Sequence, residues 1–423
     1  MTSEIVVMNK FGAAIAADSA VTISNGKIYN SATKVFRINN NSIGIMFYGL
    51  GELISIPVDI IVSSFNKENV EFDSLNSCAD LFITFLVDFL DNYVSDDANK
   101  HYLKSYLINI YEIILQRTNA VAKSQNIELK FSTTPDSKTQ QILNETISAV
   151  EKEIGQIENV VFQVNTKTNI DNLLKELPVL NKEIDDDYKR NNDAFNNPFN
   201  SNQQNKIHKI CTNSAYKKWN HPLSTGIVLI GYGKKDIFPQ ICSYIITGRY
   251  NKELIYYSED LKCIDEIQNT VAIYNFAQSE MTITFMEGIH PNIKEYQKTY
   301  WNKLLNEDLS KYVYSQISEG LIPTKQQEMS SKLEHIFKDV YVDYTTKLDD
   351  VIKHFNTNDI IGVCGSLPID ELGLMAETIV NINSFRKKLS QEPATVGGPT
   401  DVAIISKKDG FLWVNKKEIK SKS

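Results

Sequence analysis

Thr2, Asp18 and Lys34 follow one another at intervals of sixteen positions, and these residue types together could build a nucleophilic centre that needs no histidine. Freed of Met1, Thr2 would carry both a hydroxyl and an α-amine. An α-amine titrating near about 7.7–8.0 can act as general base close to neutral pH. A neighbouring ammonium such as that of Lys34 would lower the pKa of both groups, and a carboxylate such as that of Asp18 would neutralise and orient the lysine. Each residue also has a plain structural role open to it: Thr2 as the first residue of a strand, Asp18 as a strand-end turn residue, Lys34 as a solvated side chain on an amphipathic strand. Their combination favours chemistry. His101, His208, His221, His290, His335 and His354 fall mainly in the two segments, 67–222 and 290–362, that read as insertions, consistent with that mechanism.

Such residues need rigid elements behind them. Glu4 to Met8 and Ala13 to Ala17, joined by Asn9-Lys10-Phe11-Gly12, read as a β-hairpin. Ala13, Ala14, Ala16 and Ala17 are poor strand formers, so a strand there implies close packing against another layer. Lys34 to Ile38 and Ile43 to Tyr48 form a second expected hairpin across Asn39-Asn40-Asn41, running into Gly49-Leu50-Gly51. Apolar spacing then switches to three and four residues over Glu52–Phe65, Cys78–Tyr93, Tyr102–Gln116 and Ser137–Ile157, which predicts helices. From about 157 to 222 the pattern decays into Asn-, Lys- and Asp-rich sequence, read as an exposed loop around Asn191–Asn200. Strands are expected at 226–231, 240–247 and 254–257, helices at 280–287, 296–355 with a break near 320–323, and 368–388, and closing strands at 401–406 and 410–414. The last helix has Asp370 and Glu371 in its first turn and Arg386, Lys387 and Lys388 in its last, as the helix dipole favours.

The opening resembles the proteasome β-subunit family and its bacterial relative, the peptidase subunit of the two-component ATP-dependent protease, within the N-terminal nucleophile (Ntn) hydrolases. The resemblance rests on Thr2, Ala16-Ala17-Asp18-Ser19, Lys34-Val35-Phe36 and Ile45-Met46-Phe47-Tyr48-Gly49-Leu50-Gly51-Glu52. It implies Thr2 as nucleophile and base, Asp18 and Lys34 as its support, and the Gly49 N–H as oxyanion donor. Ala277-Gln278-Ser279-Glu280 resembles the family's Ser-Gly turn entering a helix, which would make Ser279 a supporting serine; a plain helix N-cap is the other role open to it. Gly397-Gly398-Pro399-Thr400-Asp401 through Phe411 resembles the closing hairpin, before which Glu392 and Thr395 stand where the family has Asp and Ser. The implied fold is α+β, a four-layer αββα sandwich of antiparallel sheets interrupted by two long helical insertions. Core segments would be 1–66, 223–289 and 363–423, with insertions at 67–222 and 290–362. The implied activity is threonine-type cleavage of amide, principally peptide, bonds by a homo-oligomer on a peptide or protein substrate, with a separate ATPase or regulatory partner. A catalytically silent scaffold binding a partner through the insertions, and a small-molecule amidase, are the rivals.

Bulk properties narrow the remaining classes. The 423 residues carry 44 Lys+Arg against 52 Asp+Glu, a net charge of −8, which argues against general affinity for nucleic acid or anionic membrane. Cys78, Cys211, Cys242, Cys263 and Cys364 are scattered, with no metal-ligand spacing, so neither a disulfide framework nor a zinc site is expected and a reducing, cytoplasmic setting is. The longest apolar run, Leu81–Leu90, is short and contains Asp88, and the start lacks a basic segment typical of a secretory signal. No cofactor is expected: Gly231-Tyr232-Gly233-Lys234-Lys235 lacks Walker spacing, and Gly362-Val363-Cys364-Gly365-Ser366 lacks the GxSxG order and reads as a turn.

Overall fold

The computed structural model describes residues 3–22, 27–38, 42–68, 70–129, 136–160, 199–215, 217–250, 253–277, 279–317, 322–390 and 396–417. In chain order the strands are β1 (Glu4–Asn9), β2 (Gly12–Asp18), β3 (Val21–Thr22), β4 (Ile28–Tyr29), β5 (Val35–Arg37), β6 (Ser42–Gly49), β7 (Glu52–Leu53), β8 (Ile56–Pro57), β9 (Thr225–Tyr232), β10 (Gln240–Tyr250), β11 (Glu253–Ser258), β12 (Val271–Asn275), β13 (Thr400–Ser406) and β14 (Gly410–Asn415). The helices are α1 (Val58–Phe65), α2 (Leu75–Tyr93), α3 (Asp96–Ser124), α4 (Ser137–Gln156), α5 (Ser201–Ser214), α6 (Glu280–Glu287), α7 (Pro291–Lys303), α8 (Ser310–Ile317), α9 (Pro323–Ile352), α10 (Asn358–Cys364) and α11 (Ile369–Lys388). The protein is thus mixed α+β with antiparallel sheets. Among the described residues no helix is long and apolar enough to cross a membrane.

The chain divides into two compact units. The first comprises Met1–Ala32, Ile264–Lys407 and Leu412–Ser423; the second comprises Thr33–Cys263 and Lys408–Phe411. In the first, the sheet order is β12-β1-β2-β13-β14. The alanines of β2 explain its packing: Ala14 and Ala16 meet Leu372, Ala376, Ile379 and Val380 of α11 in one buried cluster with Ile5, Val7, Val402 and Ile404. Gly373 extends the close approach, since a Cβ there would stand 3.0 Å from Ile404 Cγ2. Enlarging Ala14 or Ala16 would force helix and sheet apart, at about 1–3 kcal/mol. The apolar positions of α11 recur every three to four residues, Pro368 precedes its first turn, and its charged ends complement the dipole. The helices from α7 to α9 bury little; Trp301 meets Tyr344 at 5.2 Å between ring centroids, and Lys294 and Lys298 pair with Asp349.

In the second unit the sheet order is β11-β10-β9-β6-β5. Ile43, Ile45 and Phe47 of β6 and Ile227 and Leu229 of β9 share a core with Phe65 of α1 and Phe82 and Leu86 of α2. A second core joins α3, α4 and α5 through Tyr106, Ile110, Ile114, Leu143, Ile147, Ile207 and Cys211.

Several boundaries depart from the sequence expectations for identifiable reasons. The helix expected from Glu52 begins at Val58, because Ile54 and Ser55, at φ 49° and 67°, turn β7 into β8 and Pro57 closes that turn. Helix α5 lies inside the 157–222 stretch, where the sequence shows no clear periodicity; Asn200 and Gln203 form its capping box. The Asn191–Asn200 expectation falls mostly outside the described residues, although Phe199 is buried. Strand β12 was not expected; of the Gly362–Ser366 turn, Gly362-Val363-Cys364 ends α10 and Gly365-Ser366 forms the turn.

Candidate active site

Asp18 ends β2, and its place is set by the hairpin itself. Register pairs Glu4 with Ala17, so the next pair outward joins Ser3 to Asp18. The Asp18 N–H donates to the Ser3 carbonyl at 3.1 Å, and the Ser3 N–H donates back to Asp18 Oδ1 at 2.9 Å. The other carboxylate oxygen, Oδ2, accepts from Gly397 N at 2.9 Å and Ala20 N at 3.3 Å. With Asp18 only 1% exposed, these N–H groups provide the solvation that a buried carboxylate requires. The carboxylate therefore holds the peptide nitrogen joined to Thr2 and the backbone entering β13. Thr2 itself lies outside the described residues, as do Glu392 and Thr395.

Ser3 has a second anchor, which sequence reasoning missed. Its Oγ accepts from Asn383 Nδ2 at 2.8 Å, and the same amide nitrogen reaches Thr282 Oγ1 at 3.4 Å. Asn383 comes from the sheet-facing side of α11 and Thr282 from the first turn of α6, and both are buried. Ser279 stands at the N-cap of α6, yet its side chain makes no cap hydrogen bond; only its carbonyl does so, accepting from Ile283 N at 2.8 Å. Asp18 and Asn383 thus converge on Ser3, and Asn383 links it to Thr282 in the first turn of α6. A signal available in sequence was the polar Asn383 placed on the apolar side of a helix.

Around Asp18 a further clasp forms. Ser19 Oγ donates to the Pro399 carbonyl at 2.7 Å, and Ala32 N donates to the Ser19 carbonyl at 3.1 Å. Lys417, buried with its partner, gives its ammonium to Asp401 Oδ2 at 3.1 Å, to Ser19 Oγ at 3.3 Å and to the Ala32 carbonyl.

Lys34 and Gly49 belong to the second unit. Lys34 precedes β5, its carbonyl accepts from Phe47 N at 3.0 Å, and its side chain is enclosed at 7% exposure, where a lysine needs polar company. Gly49 ends β6 at φ +85°, and a Cβ there would come within 2.4 Å of the Ser224 carbonyl oxygen. Only glycine fits that backbone. Tyr48 fixes the strand just before it: the ring lies where any Cβ on Gly226 would overlap it, and its hydroxyl donates to Glu259 Oε2 at 3.1 Å. Burial, aided by the Glu259 charge, pushes the Tyr48 phenol well above its ordinary range, keeping it a neutral donor.

Other chemistry-bearing motifs resolve into structure. Lys234 and Lys235 pair with Glu71 and Asp73 at the surface. His221 is buried; Leu223 N donates to its Nδ1 at 3.2 Å, so Nε2 carries the proton and donates to the Thr247 carbonyl at 2.9 Å. Among the described residues no cluster of His, Cys, Asp and Glu is arranged to hold a metal ion. No family model and no curated protein matches this chain.

Proposed function

We propose that the protein is a proteasome-like N-terminal threonine hydrolase with a four-layer αββα Ntn core, cleaving amide and principally peptide bonds. One observation carries the proposal. The buried carboxylate of Asp18 grips the Ser3 peptide nitrogen, one bond from Thr2, and simultaneously the backbone at Gly397. A nucleophile that is also its own base must be held from its first peptide bond onward, since the amine and hydroxyl belong to one residue.

The chemistry follows from the residue types. Removal of what precedes Thr2 exposes its amine, which takes the proton from its Oγ as that oxygen attacks the substrate carbonyl. The Gly49 N–H, on a residue without a side chain, is the donor for the oxyanion. Collapse expels the amine half of the substrate and leaves an ester on Thr2, which water then hydrolyses. Lys34 and Asp18 bias the nucleophile towards its reactive form, and Ser279 supplies a hydroxyl that its helix cap does not use. In this proposal the enzyme acts as a cytoplasmic homo-oligomer supplied by a separate ATPase or regulatory partner.

A β-lactone or epoxyketone directed at N-terminal threonine is the direct test. Covalent labelling of wild type that disappears in Thr2→Ala is expected, and intact mass should show the chain beginning at Thr2. Retention of Met1 on essentially all natively expressed molecules would sink the hydrolase proposal. A partner-binding scaffold draws support from one specific feature, the exposed Ile293, Tyr296 and Tyr300 on α7.

A further inference from the structure

Beside Asp18, the first unit contains a recess of about 370 Å³ lined by Ile28, Asn30, Lys388, Val396, Gly397 and Gly398. Its volume lies at the lower end of the ~300–1,000 Å³ typical of small-ligand clefts, so it suits one or two residues of a chain and not a large cofactor. Three features define what it would accept. The wall nearest the candidate centre is the backbone at Gly397, whose N–H is bonded to Asp18 Oδ2 at 2.9 Å. Among the described residues a Cβ built on Gly397 would meet only Lys388 Cε, at 3.8 Å, an ordinary van der Waals distance. Gly398, at φ +78°, would carry a Cβ only 2.7 Å from Asn30 Cβ, so glycine there lets Asn30 stand against the rim.

Among the described residues the only charged group lining the recess is Lys388, in the last turn of α11 next to Arg386 and Lys387, and no described carboxylate forms an ion pair with it. Asp18 is not among the lining residues: its carboxylate lies behind the Gly397 N–H and is held by the N–H groups of Ser3, Ala20 and Gly397. Ile28 and Val396 offer apolar walls for a methylene stem, while the Asn30 amide and the Lys388 ammonium offer donors for its end. We propose that this recess is a specificity subsite for an acidic substrate residue, a glutamyl or aspartyl side chain lying close to the scissile bond. The proposal rests on the threonine-hydrolase function and names its substrate class.

Peptide epoxyketones that differ only in carrying Glu, Gln or Lys, moved in turn through the positions nearest the warhead, test both levels separately. The readout is the rate of mass addition to the full-length protein. At one position the Glu probe should label about two- to fivefold faster than the Gln probe, the scale of one partly solvated charge contact, and the Lys probe slowest. In Lys388→Gln the Glu-to-Gln ratio should fall towards one, and in Lys388→Glu it should invert with the Lys probe gaining; melting curves on both variants establish that they fold. Labelling of Thr2 without an acidic preference at any position, or a preference unmoved by both variants, overturns the subsite while leaving the hydrolase intact. No labelling of wild type by any probe overturns the hydrolase, and the subsite with it.

Discussion

Replacing Asp18 with asparagine is expected to weaken the fold on one side of the side chain only. The carboxylate presents Oδ1 to Ser3 N at 2.9 Å and Oδ2 to both Gly397 N at 2.9 Å and Ala20 N at 3.3 Å. An amide has one oxygen, and it satisfies more donors on the Oδ2 side. Its NH2 is then set against the Ser3 N–H, donor facing donor. The loss is one charge-assisted hydrogen bond plus a buried unsatisfied N–H, about 2–3 kcal/mol. Alanine removes the acceptors on both sides and should cost about 4 kcal/mol or more. Urea denaturation of wild type and both variants gives these differences, and amide exchange by NMR locates them: in Asp18→Asn, Ser3 should lose protection while Gly397 keeps it. A stability within about 0.5 kcal/mol of wild type, the range of an ordinary surface change, with Ser3 still protected, would refute the assignment of Asp18 as the anchor of the Ser3 peptide.

Other expectations follow from the same structure. Gly49→Ala places a methyl 2.4 Å from the Ser224 carbonyl at a positive φ, and should destabilise by about 2–4 kcal/mol, read as a fall in melting temperature. Burial lowers the His221 pKa from 6.5 to about 4, so the unfolded chain takes up its proton first as pH falls. The resulting stability is complete above pH 6.5 and is lost on descending to about 4, by about 3 kcal/mol in all; urea midpoints at pH 7 and 4.5 should converge in His221→Gln relative to wild type. Lys417→Met strands Asp401 at 3% exposure and should cost about 3–5 kcal/mol, with Asp401→Asn in the same chain recovering part of it in a double-mutant cycle.

Local structure was legible in the sequence; contacts between distant residues were not. The first hairpin declared itself by β-branched residues, a Gly-containing turn and alanines too small for an open surface, and the structure places α11 over those alanines. Helix α5 was hidden because Ile207, Ile210 and Cys211 are set among Asn, Gln and Lys, leaving the Asn200–Gln203 capping box as its clearest mark. The anchors of Ser3 and Asp18 escaped notice for a different reason. Asn383 and Gly397 stand 380 and 379 positions from their partners, and no periodicity or propensity carries information over such a separation.

The Gly397 bond to Asp18 also bears on timing. Contacts of such large sequence separation form late, because the loop they close must be ordered first. A nascent chain that has emerged only as far as α10 contains Thr2 and Asp18 but neither the residue that grips Ser3 Oγ nor the backbone that caps Asp18. During synthesis, a nucleophile at Thr2 would therefore remain unassembled beside unfolded polypeptide, and its competence would arrive with the last strands.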